Sequence, residues 1–362
     1  MENLIPSFVD ITNWNKNPYS STGGTRAKKI YIHPDNEIDY FFKGSKELED
    51  GTIRYPLEFW SEIVSSKIGQ WLNFDMLDYN IGYDYTSNQK VGCLSKSMIE
   101  NTANTLTEGL QYLRGYNSKY DPSKSEHEYT FEFIVNTLDN FQLIEFEDNI
   151  VSMMIFDAII GNSDRHQENW GVITLFQETI EELENKILFA DGIWKTIMPS
   201  IQKSLTKLAR NLRKFEEGNK KGFTRTTLIN QSVSAKSIFA PIYDSGCCLG
   251  RELEDLRVEK MLNDPQMLNN YVNNGESEVR WRVGKKPKHF DLMSEIKNKK
   301  QKSFTQIKLQ IEESFSLEKL EFLIHTIDNN LPNELKEHKL PDLRKELMVK
   351  LITLRINRFL EL

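Results

Sequence analysis

Between two apolar runs of this 362-residue chain lies Ile160-Gly161-Asn162-Ser163-Asp164-Arg165-His166-Gln167-Glu168-Asn169-Trp170-Gly171-Val172, a polar turn that sets a carboxylate, Asp164, five residues ahead of a carboxamide, Asn169. An aspartate so placed can accept the proton of a hydroxyl as it attacks a phosphoryl group. An asparagine at that spacing can coordinate the Mg²⁺ that bridges nucleotide phosphates. The same residue types also cap and turn an ordinary solvated loop. Phosphoryl transfer therefore has to be judged on whether the chain supplies the remaining groups: cover for the phosphates, a cation, and a second metal ligand.

Four further positions meet that need. Ser20-Ser21-Thr22-Gly23-Gly24-Thr25 contains a glycine pair that lets backbone N–H groups approach phosphate oxygens, although ordinary turns share the pattern. Lys43 closes the aromatic run Asp39-Tyr40-Phe41-Phe42-Lys43, from which an ammonium can reach α- and β-phosphates; a surface lysine at a strand end is the other reading. Glu58 and Glu62 lie four residues apart on the next helix, so both can face Lys43. Glu62 is preferred as its partner, with Glu58 a first-turn acid favoured by the helix dipole. Finally, Ile238-Phe239-Ala240-Pro241-Ile242-Tyr243-Asp244-Ser245-Gly246 runs an apolar strand into Asp-x-Gly, where Asp244 can hold Mg²⁺. Asp191-Gly192 is the rival and reads more naturally as a turn.

The elements that must position these groups follow from periodicity. Val151–Ile160 reads as a buried helix and Trp170–Phe176 as a strand. Arg26–His33 and Ile38–Gly44 form a hairpin about Pro34-Asp35-Asn36. Pro56 opens a helix with Leu57, Trp60, Ile63, Val64, Ile68, Trp71 and Leu72 on one stripe. Met76–Tyr85 and Lys90–Met98 are strands, and from about residue 100 the chain is expected to be helical, with apolar-periodic Leu317–Ile327 and Pro341–Leu362 packing late. Two domains are expected: a β-rich one over 1–99 and a larger, mainly helical one over 100–362, with an insertion at about 177–236. At 39% hydrophobic residues the chain can bury a sizeable core.

Composition also excludes classes. No run of about 18 apolar residues indicates a membrane span, and the first residues lack the pattern of a secretory signal. Three cysteines, two of them adjacent at Cys247 and Cys248, make neither a disulfide framework nor a zinc site, which suits a reducing cytoplasm. Cys247-Cys248 reads as packing, with burial and no adjacent cation. A net charge of −7 argues against nucleic-acid binding by the surface as a whole. Lys195–Arg225 departs from this balance, with nine basic residues, two acids and an apolar repeat. It suggests an amphipathic helix that either docks with its cationic side in solvent or meets an acidic partner.

Gly161-Asn162-Ser163-Asp164-Arg165-His166-x-x-Asn169-Trp170-Gly171, together with Ala240–Gly246 and Ser61-Glu62-Ile63-Val64, resembles the HipA-like serine/threonine kinases, bacterial kinases of toxin–antitoxin systems with relatives that act as translocated effectors. The similarity runs, with gaps, from about Ser20 to about Leu253. It implies an α+β protein-kinase-like fold of two lobes that uses ATP and Mg²⁺. Asp164 would be the catalytic base, Asn169 and Asp244 the metal ligands, and Lys43 the phosphate contact. The 95–99 segment, with Ser95 and Ser97, would meet adenine through its backbone. Ser21, Thr22, Gly23, Gly24 and His166 complete the nucleotide site, with His166 holding the loop in place. Autophosphorylation at Ser21, or at Ser20 beside it, would eject the loop, since a dianion repels the ATP phosphates. The chain resembles the shorter members, in which an extra N-terminal subdomain is absent or a separate chain. About 75 residues separate Asn169 from Asp244, more than is usual, and the basic segment lies among them. The implied partners are a protein substrate and an antitoxin or separate subdomain, and the implied home is the bacterial cytoplasm, with translocation into another cell as the minor route. A phosphoinositide kinase, a small-molecule kinase and a catalytically silent binding module stay open as alternatives.

Overall fold

The computed structural model describes residues 2–17, 28–99, 104–176, 199–200, 203 and 236–362. The chain forms two compact units, one of residues 1–97, 148–166 and 241–362, the other of residues 98–147 and 167–240. The N-terminal region is β-sheet and the C-terminal part is helical, as the sequence pattern predicts.

In the first unit, β1 (Phe8–Asp10), β2 (Asn15–Lys16), β3 (Lys28–Ile32), β4 (Asp39–Lys43), β7 (Tyr79–Tyr83) and β8 (Val91–Lys96) form one sheet in the order β1-β7-β8-β4-β3-β2. β1 pairs parallel to β7, and the other pairings are antiparallel. Alternation sets one face of the sheet inward. Tyr31, Phe42 and Leu94 pack there with Ile11, and Phe42 faces Leu94 across the β4–β8 ladder. A two-strand ribbon, β5 (Lys46–Glu47) with β6 (Ile53–Arg54), leads into α1 (Glu58–Trp71).

The apolar stripe of α1 buries Trp60, Ile63, Val64 and Ile68 completely, so the helix is held by packing rather than propensity. Ser66 Oγ donates to Leu77 O at 2.6 Å and ties the helix to the approach to β7. The predicted strands over 76–85 and 90–98 are trimmed to Tyr79–Tyr83 and Val91–Lys96 because turn residues take their ends.

α4 (Glu147–Ile160) has a polar first turn, and from Ile150 onward it is apolar on nearly every face and buried except at Ser152. The chain closes with α5 (Asp255–Asn263), α6 (Pro265–Asn274), α7 (His289–Lys299), α8 (Gln301–Ser314), α9 (Leu317–Thr326) and α10 (Asp342–Glu361). α10 is lined by buried Leu347, Leu351, Ile352, Ile356 and Phe359. Among the described residues no helix is long and apolar enough to cross a membrane.

The second unit holds α2 (Gly109–Tyr116), α3 (Phe131–Asn140) and an antiparallel sheet of β9 (Thr105–Glu108), β10 (Gly171–Leu175) and β11 (Lys236–Phe239). β9 corrects the expectation of helix from residue 100. Thr105 and Thr107 point to the buried side and pair with β10, and this cross-strand partner outweighs a four-residue stretch with little helical character of its own.

Candidate active site

Lys43 ends β4 with 4% of its surface exposed, at the point where the sheet register sets it opposite Cys93. Its ammonium lies 2.5 Å from Asp244 Oδ1 and 3.5 Å from Glu62 Oε2. Glu62, one helical turn beyond Glu58 on α1, accepts the Ser245 N–H on Oε1 at 2.7 Å. Lys28 adds a second cation, 3.8 Å from Asp244 Oδ2. The structure thus brings Lys43, Glu62 and Asp244 together, with Glu62 bound to both the lysine and the backbone after Asp244. Asp244 itself has φ of 54°, a left-handed conformation that is strained for a residue with a side chain. The Tyr79 hydroxyl lies 3.5 Å from the Asp244 N–H, and burial, then Glu62, raises the phenol well above its ordinary range and keeps it neutral.

Asp164 is half-buried on the loop after α4. Its N–H donates to Asn162 Oδ1 at 3.2 Å, and its Oδ2 accepts the Cys247 thiol at 3.1 Å. Arg165, the next residue, is 1% exposed and spends its donors on both sides of the site. Nε and Nη2 grip Asp157 of α4 at 2.9 and 2.8 Å, Nη1 donates to Tyr243 O at 2.5 Å, and Nη2 also reaches Ser245 Oγ at 2.9 Å. Asn162 Nδ2 donates to Asp157 Oδ1 at 2.9 Å and closes the network. A planar fork with five donors suits such bracing, and a lysine cannot replace it. Arg165 therefore locks the segment bearing Asp164 to the segment bearing Asp244. The sequence pattern contains Arg165 but gives no sign of this role, nor of Asp157, because Tyr243 and Ser245 lie about 80 residues on.

A second chain of contacts starts on α1. Glu58 accepts Arg251 Nη1 at 2.5 Å and the Lys46 N–H at 3.1 Å, so its carboxylate serves these groups rather than the helix dipole alone. Arg251 Nη2 donates to Cys247 Sγ at 2.9 Å, and Cys247 in turn touches Asp164. This corrects the reading of Cys247 as a packed thiol without a neighbouring cation: it is half-exposed and sits between a guanidinium and a carboxylate. Cys248 fits the packing reading, buried against Ser65 with its thiol pushed up to about 12 by desolvation.

Asn169 belongs to the second unit and is 4% exposed. The loop around it is pinned there by Gln167 Nε2 to Tyr120 OH at 2.6 Å and Trp170 Nε1 to Tyr129 OH at 2.9 Å. Gly109 N–H donates to Trp170 O at 2.9 Å, and the indole lies so close that a Cβ on Gly109 would come within 2.1 Å of it. Ser95 is buried in β8 and pairs with Phe41 and Tyr79; the Ser97 N–H donates to Asp39 O at 2.8 Å, and His166 is half-buried. Ser20, Ser21, Thr22, Gly23 and Gly24 lie outside the described residues, as do Asp191-Gly192 and almost all of the basic segment 195–225.

No protein-family model matches the chain. It is 21% identical over 360 residues to the serine/threonine-protein kinase CtkA of Helicobacter pylori, an alignment covering 98% of this chain and 89% of that protein. The crystal structure of a Helicobacter pylori proinflammatory kinase, CtkA, matches with a TM-score of 0.65 at 18% identity, over 98% of this chain and 96% of that one. This chain has that kinase's fold. The likeness extends over nearly the whole of both chains.

Proposed function

We propose that this chain is a serine/threonine protein kinase of the HipA-like type, dependent on ATP and Mg²⁺. The observation that carries this reading is the convergence of Lys43, Glu62 and Asp244, drawn from three separate elements, on a cation held at 2.5 and 3.5 Å. Full-length similarity to a serine/threonine kinase supports it.

Each group then has a task. Lys43, oriented by Glu62, neutralises α- and β-phosphate oxygens at the end of β4. Asp244 presents hard carboxylate oxygens of the kind Mg²⁺ prefers, and Asn169 is the other metal-binding side chain. When bound, the metal supplies charge neutralisation between the phosphates. The backbone of 95–99 contacts adenine, with Ser95 and Ser97 on that wall and His166 supporting the loop. Ser21, Thr22, Gly23 and Gly24 cover the phosphates.

The acceptor is a serine or threonine hydroxyl of a protein. Asp164 takes its proton as the new oxygen–phosphorus bond forms and the bond to the β-phosphate oxygen breaks, leaving ADP. Arg165 keeps Asp164 and Asp244 in register, so its role is positioning. Phosphate added to Ser20 or Ser21 repels the nucleotide and switches the enzyme off.

Intact-mass measurement after incubation with Mg²⁺ and ATP, beside Asp164→Ala, tests the reading. Phosphate added in the wild type only, mapping to Ser20 or Ser21, is the expected result. A protein that gains no phosphate and modifies no added protein fails the proposal.

A further inference from the structure

Beside the loop that carries Asp164 lies a cavity of about 490 Å³, lined by Gly161, Ser163 and Cys247, by residues of α5 and α6, and by Arg355 of α10. Cys247 is shared between the cavity and the Asp164 carboxylate, 3.1 Å from its sulfur, and Ser163 is the residue before Asp164. The cavity and the base therefore have a common wall.

Arg355 is only 2% exposed. Its Nη1 donates to Ile160 O at 2.9 Å and its guanidinium lies 5.8 Å from the Tyr271 ring centroid, but Nε has no hydrogen-bond partner. Among the described residues no carboxylate forms an ion pair with it. Glu252 acts on it by charge alone, and the Tyr271 hydroxyl that holds Glu252 at 2.7 Å is also within hydrogen-bonding reach of the guanidinium.

Two other buried arginines bond through all three guanidinium nitrogens. Arg344 donates to Gly250 O, Leu253 O and Asp255, and Arg165 to Asp157, Tyr243 O and Ser245. A buried cation with spare donors is unfavourable unless an anion completes it. The fold also makes room for it: Gly161 has φ of +69° and a Cβ there would lie 2.1 Å from the Arg355 guanidinium carbon.

The rim narrows the choice of anion. Glu252, Asp264 and Glu276 are exposed there against the single exposed cation Arg257, and this surplus repels a phosphate dianion about twice as strongly as a carboxylate. A carboxylate on a short methylene stem carries half that charge, and Met261 and the Tyr271 ring offer apolar wall to the stem. We infer that the cavity receives a glutamate or aspartate side chain of the acceptor polypeptide, which pairs with Arg355 and sets a serine or threonine within about three residues of it against Asp164. This deepens the kinase reading and rests on it, because the adjoining hydroxyl is the one phosphorylated.

The test uses the full chain and peptides with a single serine, with glutamate or glutamine placed in turn at each flanking position. Phosphate transfer from ATP is one readout. Fluorescence anisotropy of the same peptides with alanine for serine is the other, and needs no catalysis. The expected result is one position at which glutamate exceeds glutamine by on the order of tenfold in kcat/KM and in affinity. That ratio should collapse in Arg355→Met. It should fall in Asn270→Asp, which adds a negative charge at an exposed rim position of α6 without touching Arg355.

A protein that phosphorylates itself yet shows no such position overturns the inference, as does a ratio that persists in Arg355→Met. Should Arg355→Met lose its cooperative melt, an unchanged ratio in Asn270→Asp overturns it instead. If the wild type phosphorylates nothing, the kinase reading fails by itself and anisotropy judges the cavity: tighter binding of the glutamate peptides supports it, equal binding refutes it. Tighter binding of a phosphoserine peptide than of the glutamate peptide would overturn the assignment to a carboxylate.

Discussion

Lys43 and Asp244 stand 201 positions apart in the chain, yet the ammonium of one lies 2.5 Å from a carboxylate oxygen of the other. Glu62 holds the same ammonium from a third direction at 3.5 Å. Charge-assisted contacts in a nearly dry site are stronger than their exposed equivalents. Replacing Lys43 with methionine leaves two carboxylates facing each other without their shared cation. Phosphate transfer, followed as the rate of autophosphorylation by intact mass, is expected to fall by about a hundredfold or more. A variant that retains wild-type rate would remove Lys43 from the phosphate site.

Arg165 makes a different prediction, one about stability. Arg165→Met deletes the fork that joins Asp157, Tyr243 O and Ser245 and leaves the Asp157 carboxylate, which is 3% exposed, without its cation and with Asn162 Nδ2 as its remaining side-chain donor. Breaking a buried pair by removing one partner costs about 3 kcal/mol or more. In a chain of this size that is a drop in Tm of roughly 4 °C or more by calorimetry. Arg165→Lys keeps the charge but not the planar geometry and is expected to recover only part of the loss. Equal melting of the three proteins would show that the fork contributes nothing.

His289 gives the fold a pH dependence. Both ring nitrogens are buried without hydrogen-bond partners, and burial, followed by the positive charge of Arg355, lowers its pKa to about 3. In the unfolded chain the ring titrates near its ordinary value of 6.5. Below that value the unfolded state binds the proton that the folded state refuses. Stability from this group is thus complete above about pH 6.5 and is lost progressively as pH falls toward 3. Urea titrations of the wild type and of His289→Leu at pH 7 and pH 5 check this. The acid-induced loss should be smaller in the variant, and an identical loss in both would remove His289 as the source.

The three cysteines should differ in reactivity. Cys93 and Cys248 are buried, whereas Cys247 is half-exposed and bounded by Arg251 and Asp164. One equivalent of iodoacetamide is expected to label Cys247 first, as read by peptide mass mapping. The added group sits against the Asp164 carboxylate and should slow phosphate transfer in step with labelling. Early labelling of Cys93 or Cys248 would contradict the geometry.

Much of this site is legible from local pattern because each group sits at a position with its own signature. A lysine closing an aromatic strand, a glutamate on the first apolar-striped helix, an Asp-to-Asn loop between a helix and a strand, and an apolar strand running into Asp-Ser-Gly can each be found within a dozen residues. Strand and helix periodicity depends on which side of the chain faces the core, and that is written residue by residue. The partnerships are of another kind. Arg165, braced by Asp157, meets Tyr243 and Ser245 about 80 residues on, Glu58 reaches Cys247 through Arg251, and β9 is a strand only because β10 pairs with it. Ion pairs and ladder hydrogen bonds are made through space, between groups whose sequence separation leaves no periodic trace. Sequence by itself determined the chemical types of the candidate site and the elements that carry them, β9 lying outside that reading. Tertiary structure decided which carboxylate takes which cation, which thiol touches Asp164, and that Arg355 ends buried at a cavity with donors to spare.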